Sequence, residues 1–163
     1  MNMKFGVGML TDSLWGIAER AKLADELGFD LVRIADSQCL FRDLYVSLTL
    51  VALHTTRCMI GPGVTNPVTR HPTVTAGAIA SIDELSGGRA ILGIGAGDSA
   101  VFNSGERPAG AQALKEYVVA IRELFQRGET VYRGRLCRLT WPQRAVPIWV
   151  AAAGPRALRV AGE

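Results

Sequence analysis

One stretch of the chain concentrates the residue types that build binding loops. GPGVTNPVTRHP, from Gly61 to Pro72, holds two glycines, three prolines and five hydrogen-bonding side chains. The apolar run Cys58-Met59-Ile60 precedes it, and Val74, Ala78, Ile79, Ile82 and Leu85 follow at helical spacing. It is therefore a strand-to-helix loop, the kind of segment on which α/β proteins place their chemistry. Asn66 offers both a donor and an acceptor to a ligand, or equally caps the turn around Pro67. His71 stands directly before Pro72 at a helix start, which favours a hydrogen bond within the loop over catalysis. His54 is the only other histidine, so a histidine-based metal site is not expected.

Asp36 and Asp98 follow two further strand-type runs, Leu31–Ala35 and Arg89–Ile94. Carboxylates at strand ends can orient a substrate, or simply cap a loop. Gly93, Gly95 and Gly97 form GIGAG, whose spacing is wrong for GxGxxG, and the first strand is followed by TDSLWG rather than by a glycine loop. A Rossmann reading therefore fails, and the glycines suit close approach of backbone to a flat ring or a phosphate. The sequence has no Walker A loop and no GxSxG elbow. Cys39, Cys58 and Cys137 lack CxxC or zinc spacing and have no activating neighbour. Reduced thiols in a cytoplasmic protein are the expectation.

The elements that must carry these residues repeat. Strand-type runs begin near residues 4, 31, 58 and 90, each followed by a helical pattern, which predicts βα units on a parallel sheet. Thr11-Asp12-Ser13 offers caps for a first helix whose apolar face is Leu14, Ile17, Ala18, Ala21, Ala24 and Leu27, with Gly28 ending it. Helices are predicted from Leu44 to Leu53, from Pro72 to Ser86 before Gly87-Gly88, and along Leu114, Val118, Ile121 and Phe125 up to Gly128. Gly95 to Pro108 reads as a long loop, residues 130–139 as a small hairpin excursion, and Pro147–Ala152 as a fifth strand.

The chain of 163 residues, with 48% apolar and 20% charged residues, has the composition of one globular domain spanning 1–163. Its net charge of +3 comes from scattered arginines, with Arg133, Arg135 and Arg138 the nearest thing to a cluster. That pattern argues against nucleic acid as a partner. Nowhere do ~18 apolar residues follow one another as a membrane-spanning helix requires. Pro155 opens a fifth helix that reaches only to Glu163, whereas a closed (βα)8 barrel typically takes ~250 residues. The expected fold is α/β: the N-terminal portion of a TIM barrel, about five βα units, cut off in mid-repeat.

GPGVTNPVTRHP, DELSGGRAILGIGAG (Asp83 to Gly97) and PIWVAAAGPRAL (Pro147 to Leu158), taken together, resemble the bacterial luciferase-like family of flavin- and deazaflavin-dependent oxidoreductases. TNPVTRHP followed by DELSGGR and GIGAGD is most similar to the branch typified by methylenetetrahydromethanopterin reductase, which uses the deazaflavin coenzyme F-420. The resemblance implies a TIM barrel with the ring in its mouth, contacted by Gly63, Val64, Thr65, Asn66, Gly95 and Gly97. It implies substrate or catalytic contacts at Asp98 first and Asp36 second. It also implies a non-proline cis peptide at Gly63-Val64; such bonds make up well under ~0.1% of the total, so the residues alone would give a trans loop.

The activity implied is hydride transfer between C5 of the deazaflavin and a small organic substrate. Two alternatives stand beside it: an FMN-dependent monooxygenase using oxygen, and an inactive half-barrel acting only by assembly through its apolar second and third helices. The family commonly forms homodimers, which implies self-association here.

Overall fold

The computed structural model describes residues 3–141 and 144–163. In chain order the elements are β1 (Gly6–Met9), α1 (Leu14–Glu26), β2 (Leu31–Ile34), α2 (Leu44–His54), β3 (Met59–Pro62), α3 (Pro72–Leu85), β4 (Leu92–Ile94), α4 (Ser99–Asn103), α5 (Ala111–Arg127), β5 (Glu129–Tyr132), β6 (Arg135–Arg138), β7 (Ile148–Val150) and α6 (Pro155–Gly162). β1, β2 and β3 pair in parallel in that order, with Gly6 opposite Leu31 and Leu31 opposite Met59. β4 pairs in parallel with β7. The predicted hairpin is β5 and β6, antiparallel, turning through Arg133 and Gly134 at φ 50° and 75°, the left-handed pair that a two-residue hairpin loop requires.

Two bridges, Ile60 with Ala90 and Thr65 with Ile94, join β3 to β4 and make the parallel strands one curved wall. Between them the β3 side carries one more residue step than the β4 side, which is a β-bulge. The bulge limits pairing with β3 to these two bridges, and regular strand begins at Leu92, where the ladder with β7 starts, rather than at the predicted Arg89. Backbones approach closely here: a Cβ on Gly61 would stand 2.2 Å from the Ile91 carbonyl oxygen, and one on Gly93 2.2 Å from that of Pro62. Only glycine fits either position. The bulge contains the cis peptide Gly63-Val64 expected from the resemblance.

The core lies between this wall and its covering helices. Ile17 and Ala21 of α1, Leu48 and Val51 of α2, Ile79 of α3 and Ile121 of α5 are buried in one cluster with Val32, Ile34, Ile60 and Leu92 of the strands. The predicted apolar face of α1 is right at Ile17, Ala18, Ala21 and Ala24 but not at Leu27, which is 69% exposed as the C-terminal cap. Ser13 caps α1 by accepting from the Gly16 amide, while Asp12 pairs instead with Arg20 at 2.6 Å. α5 ends as expected at Gly128, in the left-handed conformation.

Two polar anchors fix the lower ends of the βα units. Asp25, at the end of α1, accepts hydrogen bonds from the backbone amides of Thr56, Arg57 and Cys58. Burial works against its charge, but those amides outweigh it and hold the carboxyl well below its ordinary range. Arg89, in the DELSGGR run, donates to the carbonyls of Ala52, Thr55, Cys58 and Ser86. It thereby satisfies carbonyls that the ends of α2 and α3 leave unpaired. Among the described residues no helix is long and apolar enough to cross a membrane.

Candidate active site

A cavity of about 580 Å³ opens where β2, β3, β4 and β7 end, and it is lined by the residues that follow them. Asp36, Gly63, Val64, Thr65, Asn66, Gly95, Gly97 and Asp98, the whole predicted set, line it together with Ala151 to Ala153. Its size falls within the usual range for small-molecule sites.

The floor is apolar and close to backbone. A Cβ on Gly95 would lie 3.1 Å from Val64 Cγ2 and 3.5 Å from Ala151 Cβ, so a side chain there would press on the apolar groups that line the cavity. Gly97 has φ +105°, and a Cβ there would meet Val101 Cγ2 at 2.4 Å. That glycine turns the chain from β4 into α4, a five-residue helix inside the segment that the sequence reads as loop.

Asn66 is 2% exposed. Its Oδ1 accepts from the amides of Val68 and Thr69, each at 3.0 Å, and from the Thr69 hydroxyl. The turn therefore takes the oxygen, which fixes the orientation of the carboxamide and leaves its NH2 as the group to offer a ligand. His71 caps α3 through Nδ1, accepting from the Thr73 amide, as the loop reading expects.

Asp36 and Asp98 occupy contrasting environments. Asp36 is 6% exposed, and its carboxylate accepts from the Thr65 hydroxyl at 2.6 Å, from Gln38 Nε2 at 2.9 Å, and from both terminal nitrogens of Arg70 at 2.5 and 3.2 Å. Asp98 is exposed at the start of α4 and makes no side-chain capping bond there, while its carbonyl accepts from the amides of Val101 and Phe102. Of the two carboxylates, Asp98 is the more exposed. Ser37 and Ser99, each one residue further along, hydrogen-bond to one another at 2.5 Å.

Sequence reasoning missed Arg70. It stands in the right loop, but its ion pair bridges 34 positions of sequence, and no local pattern announces such a partner. Burial opposes its charge, but the hydrogen bonds it donates to Asp36 outweigh that and hold its pKa above the ordinary value. Its guanidinium lies 5.0 Å from the centre of the Tyr45 ring, whose phenol burial pushes up to about 12, so the stacked ring stays neutral.

The family model for luciferase-like monooxygenases matches residues 3–163. The chain belongs to that family. A 5,10-methylenetetrahydromethanopterin reductase of Methanolobus tindarius is 40% identical over 171 residues, covering 99% of this chain and 52% of the relative. An F-420-dependent glucose-6-phosphate dehydrogenase of Microbacterium testaceum is 32% identical, covering 86% and 47%. The structure of the coenzyme F-420-dependent tetrahydromethanopterin reductase of Methanopyrus kandleri superposes with a TM-score of 0.85 at 32% identity, covering 100% of this chain and 54% of that one. The chain thus spans about half the length of the curated relatives it matches. The parallel βα architecture expected from the sequence is that of the family's TIM-barrel enzymes.

Proposed function

We propose that the cavity holds the ring of coenzyme F-420, and that the enzyme moves a hydride between this deazaflavin and a small organic substrate. One observation carries the reading: the backbone bulge at Gly63–Asn66, the glycines Gly95 and Gly97, and Asp98 converge on a single cavity. The names of the relatives support the choice of cofactor.

When bound, the deazaflavin supplies a two-electron hydride carrier. The chain's own residues hold and shield it. Val64 and Ala151 would give an apolar floor, the missing side chain of Gly95 would leave room beside it, and the Asn66 NH2 would be the donor available to the ring. Asp98, exposed and without a side-chain capping bond, would accept a hydrogen bond from the substrate. Asp36, already engaged by Arg70, Thr65 and Gln38, shapes the wall rather than moving a proton.

The test is reduction or oxidation of F-420 on mixing with candidate substrates, methylenetetrahydromethanopterin and glucose-6-phosphate first. Turnover that falls by about tenfold or more in an Asp98→Asn variant supports the assignment. Turnover of FMN and oxygen instead would refute it.

The reading extends to assembly. Val46, Leu50 and Leu53 recur along one face of α2 and Val74, Ala78 and Leu85 along one face of α3, and Val46, Leu53, Val74 and Leu85 are exposed. Such apolar stripes suit a second copy of the chain. The three cysteines are unpaired, with Cys58 buried, which supports a reducing, cytoplasmic setting.

A further inference from the structure

Arg70 is held from three directions. Its backbone carbonyl accepts from the hydroxyl of Tyr117, a fully buried residue of α5, which is also hydrogen-bonded to Thr75 of α3. Its guanidinium stacks on Tyr45 of α2. Its fork reaches Asp36 at the end of β2, with a longer contact of 3.5 Å to Asp43, the cap of α2. The side chain is only 13% exposed, so this cation is committed to the protein.

The consequence lies one bond further on. The Asp36 oxygen that meets Arg70 also accepts from Thr65, which follows the Gly63-Val64 bulge, and the next residue, Ser37, reaches across to Ser99 beside Asp98. We infer that Arg70 is a positioning residue for the cofactor cavity: through Asp36 it sets the wall formed by Thr65 and, through Ser37, the placement of the loop carrying Asp98. The inference rests on reading that cavity as the deazaflavin site. A planar fork is needed to engage both oxygens of Asp36 while stacking on Tyr45, and lysine, a point charge on a flexible stem, does neither.

The experiment uses the full chain with Arg70→Met, Arg70→Lys, Asp36→Asn and the Met/Asn double variant. Two quantities are measured well below each unfolding midpoint: amide exchange of the 36–43 loop, which needs no ligand, and fluorescence titration with F-420. Arg70→Met should speed exchange in that loop by about tenfold or more while leaving α5 peptides unchanged. It should also weaken F-420 binding by about tenfold or more. Arg70→Lys, which retains the charge and so protects against failure to fold, should restore neither fully. The double variant should bind no worse than the weaker single one, because the two residues act as a unit.

Exchange in the 36–43 loop that is unchanged, or that rises equally throughout the chain, would overturn the inference. So would local loosening with unchanged affinity. A wild-type chain that binds no F-420 would refute the cavity reading instead, and the ligand-free exchange tells these failures apart.

Discussion

The side-chain oxygens of Ser37 and Ser99 lie 2.5 Å apart, 62 positions distant in sequence. Each serine directly follows one of the two acidic residues at the cavity, so this one bond ties the exit of β2 to the start of α4. Removing it should cost about 1 kcal/mol, the ordinary net value of a hydrogen bond. Ser37→Ala and Ser99→Ala should each weaken F-420 binding several-fold, and the double variant should match the singles. Additive losses in titration would show that the serines act separately.

Asp98 is exposed and makes no side-chain capping bond at the start of α4. Asp98→Asn should leave the urea midpoint nearly unchanged, within about 0.5 kcal/mol as for other exposed positions, while turnover falls by about tenfold or more. A variant that loses stability but keeps its rate would return Asp98 to the plain role of loop cap.

Much of this arrangement could be read from residue patterns, and the exceptions share a cause. β2, β3, the Gly128 stop and the Arg133-Gly134 hairpin follow from local propensity, and the structure agrees at each. α4 escaped because five residues are too few to show a period. The break between β3 and β4 escaped because a bulge belongs to a strand pair and not to either strand alone. Asn66 was legible only as a choice between ligand and turn; the fold gives its oxygen to the turn and leaves the nitrogen. Arg70 has no local signature, since its meaning comes from Asp36, Tyr45 and Tyr117, which the fold brings from three other elements.

Gly97 offers a test of the cavity's geometry. Its φ of +105° and the 2.4 Å approach of Val101 to a would-be Cβ make Gly97→Ala unfavourable by about 1–2 kcal/mol. The shift should fall on α4, so cofactor affinity should drop with it. Gly162→Ala is the control: it stands inside α6 with nothing within 4 Å, and should lower neither. Calorimetry and titration on both variants check this.

Asp25 predicts how stability responds to acid. Its folded pKa lies below the ordinary 3.8, so its contribution is fully present above pH ~4 and is lost as pH falls through the lower folded value. Asp25→Asn should cost about 2 kcal/mol at pH 7, given hydrogen bonds to a charged acceptor. The gap from wild type should narrow as pH drops below about 4. Urea midpoints across that range provide the measurement; a gap independent of pH would mean that the charge is not what staples α1 to β3.

The most direct test of the central claim is a parallel fluorescence titration of the chain with coenzyme F-420 and with FMN. The account expects saturable binding selective for the deazaflavin, abolished by a bulky side chain at Gly95, where a Cβ would already press on Val64 and Ala151. Preference for FMN, or F-420 binding indifferent to Gly95, would contradict it.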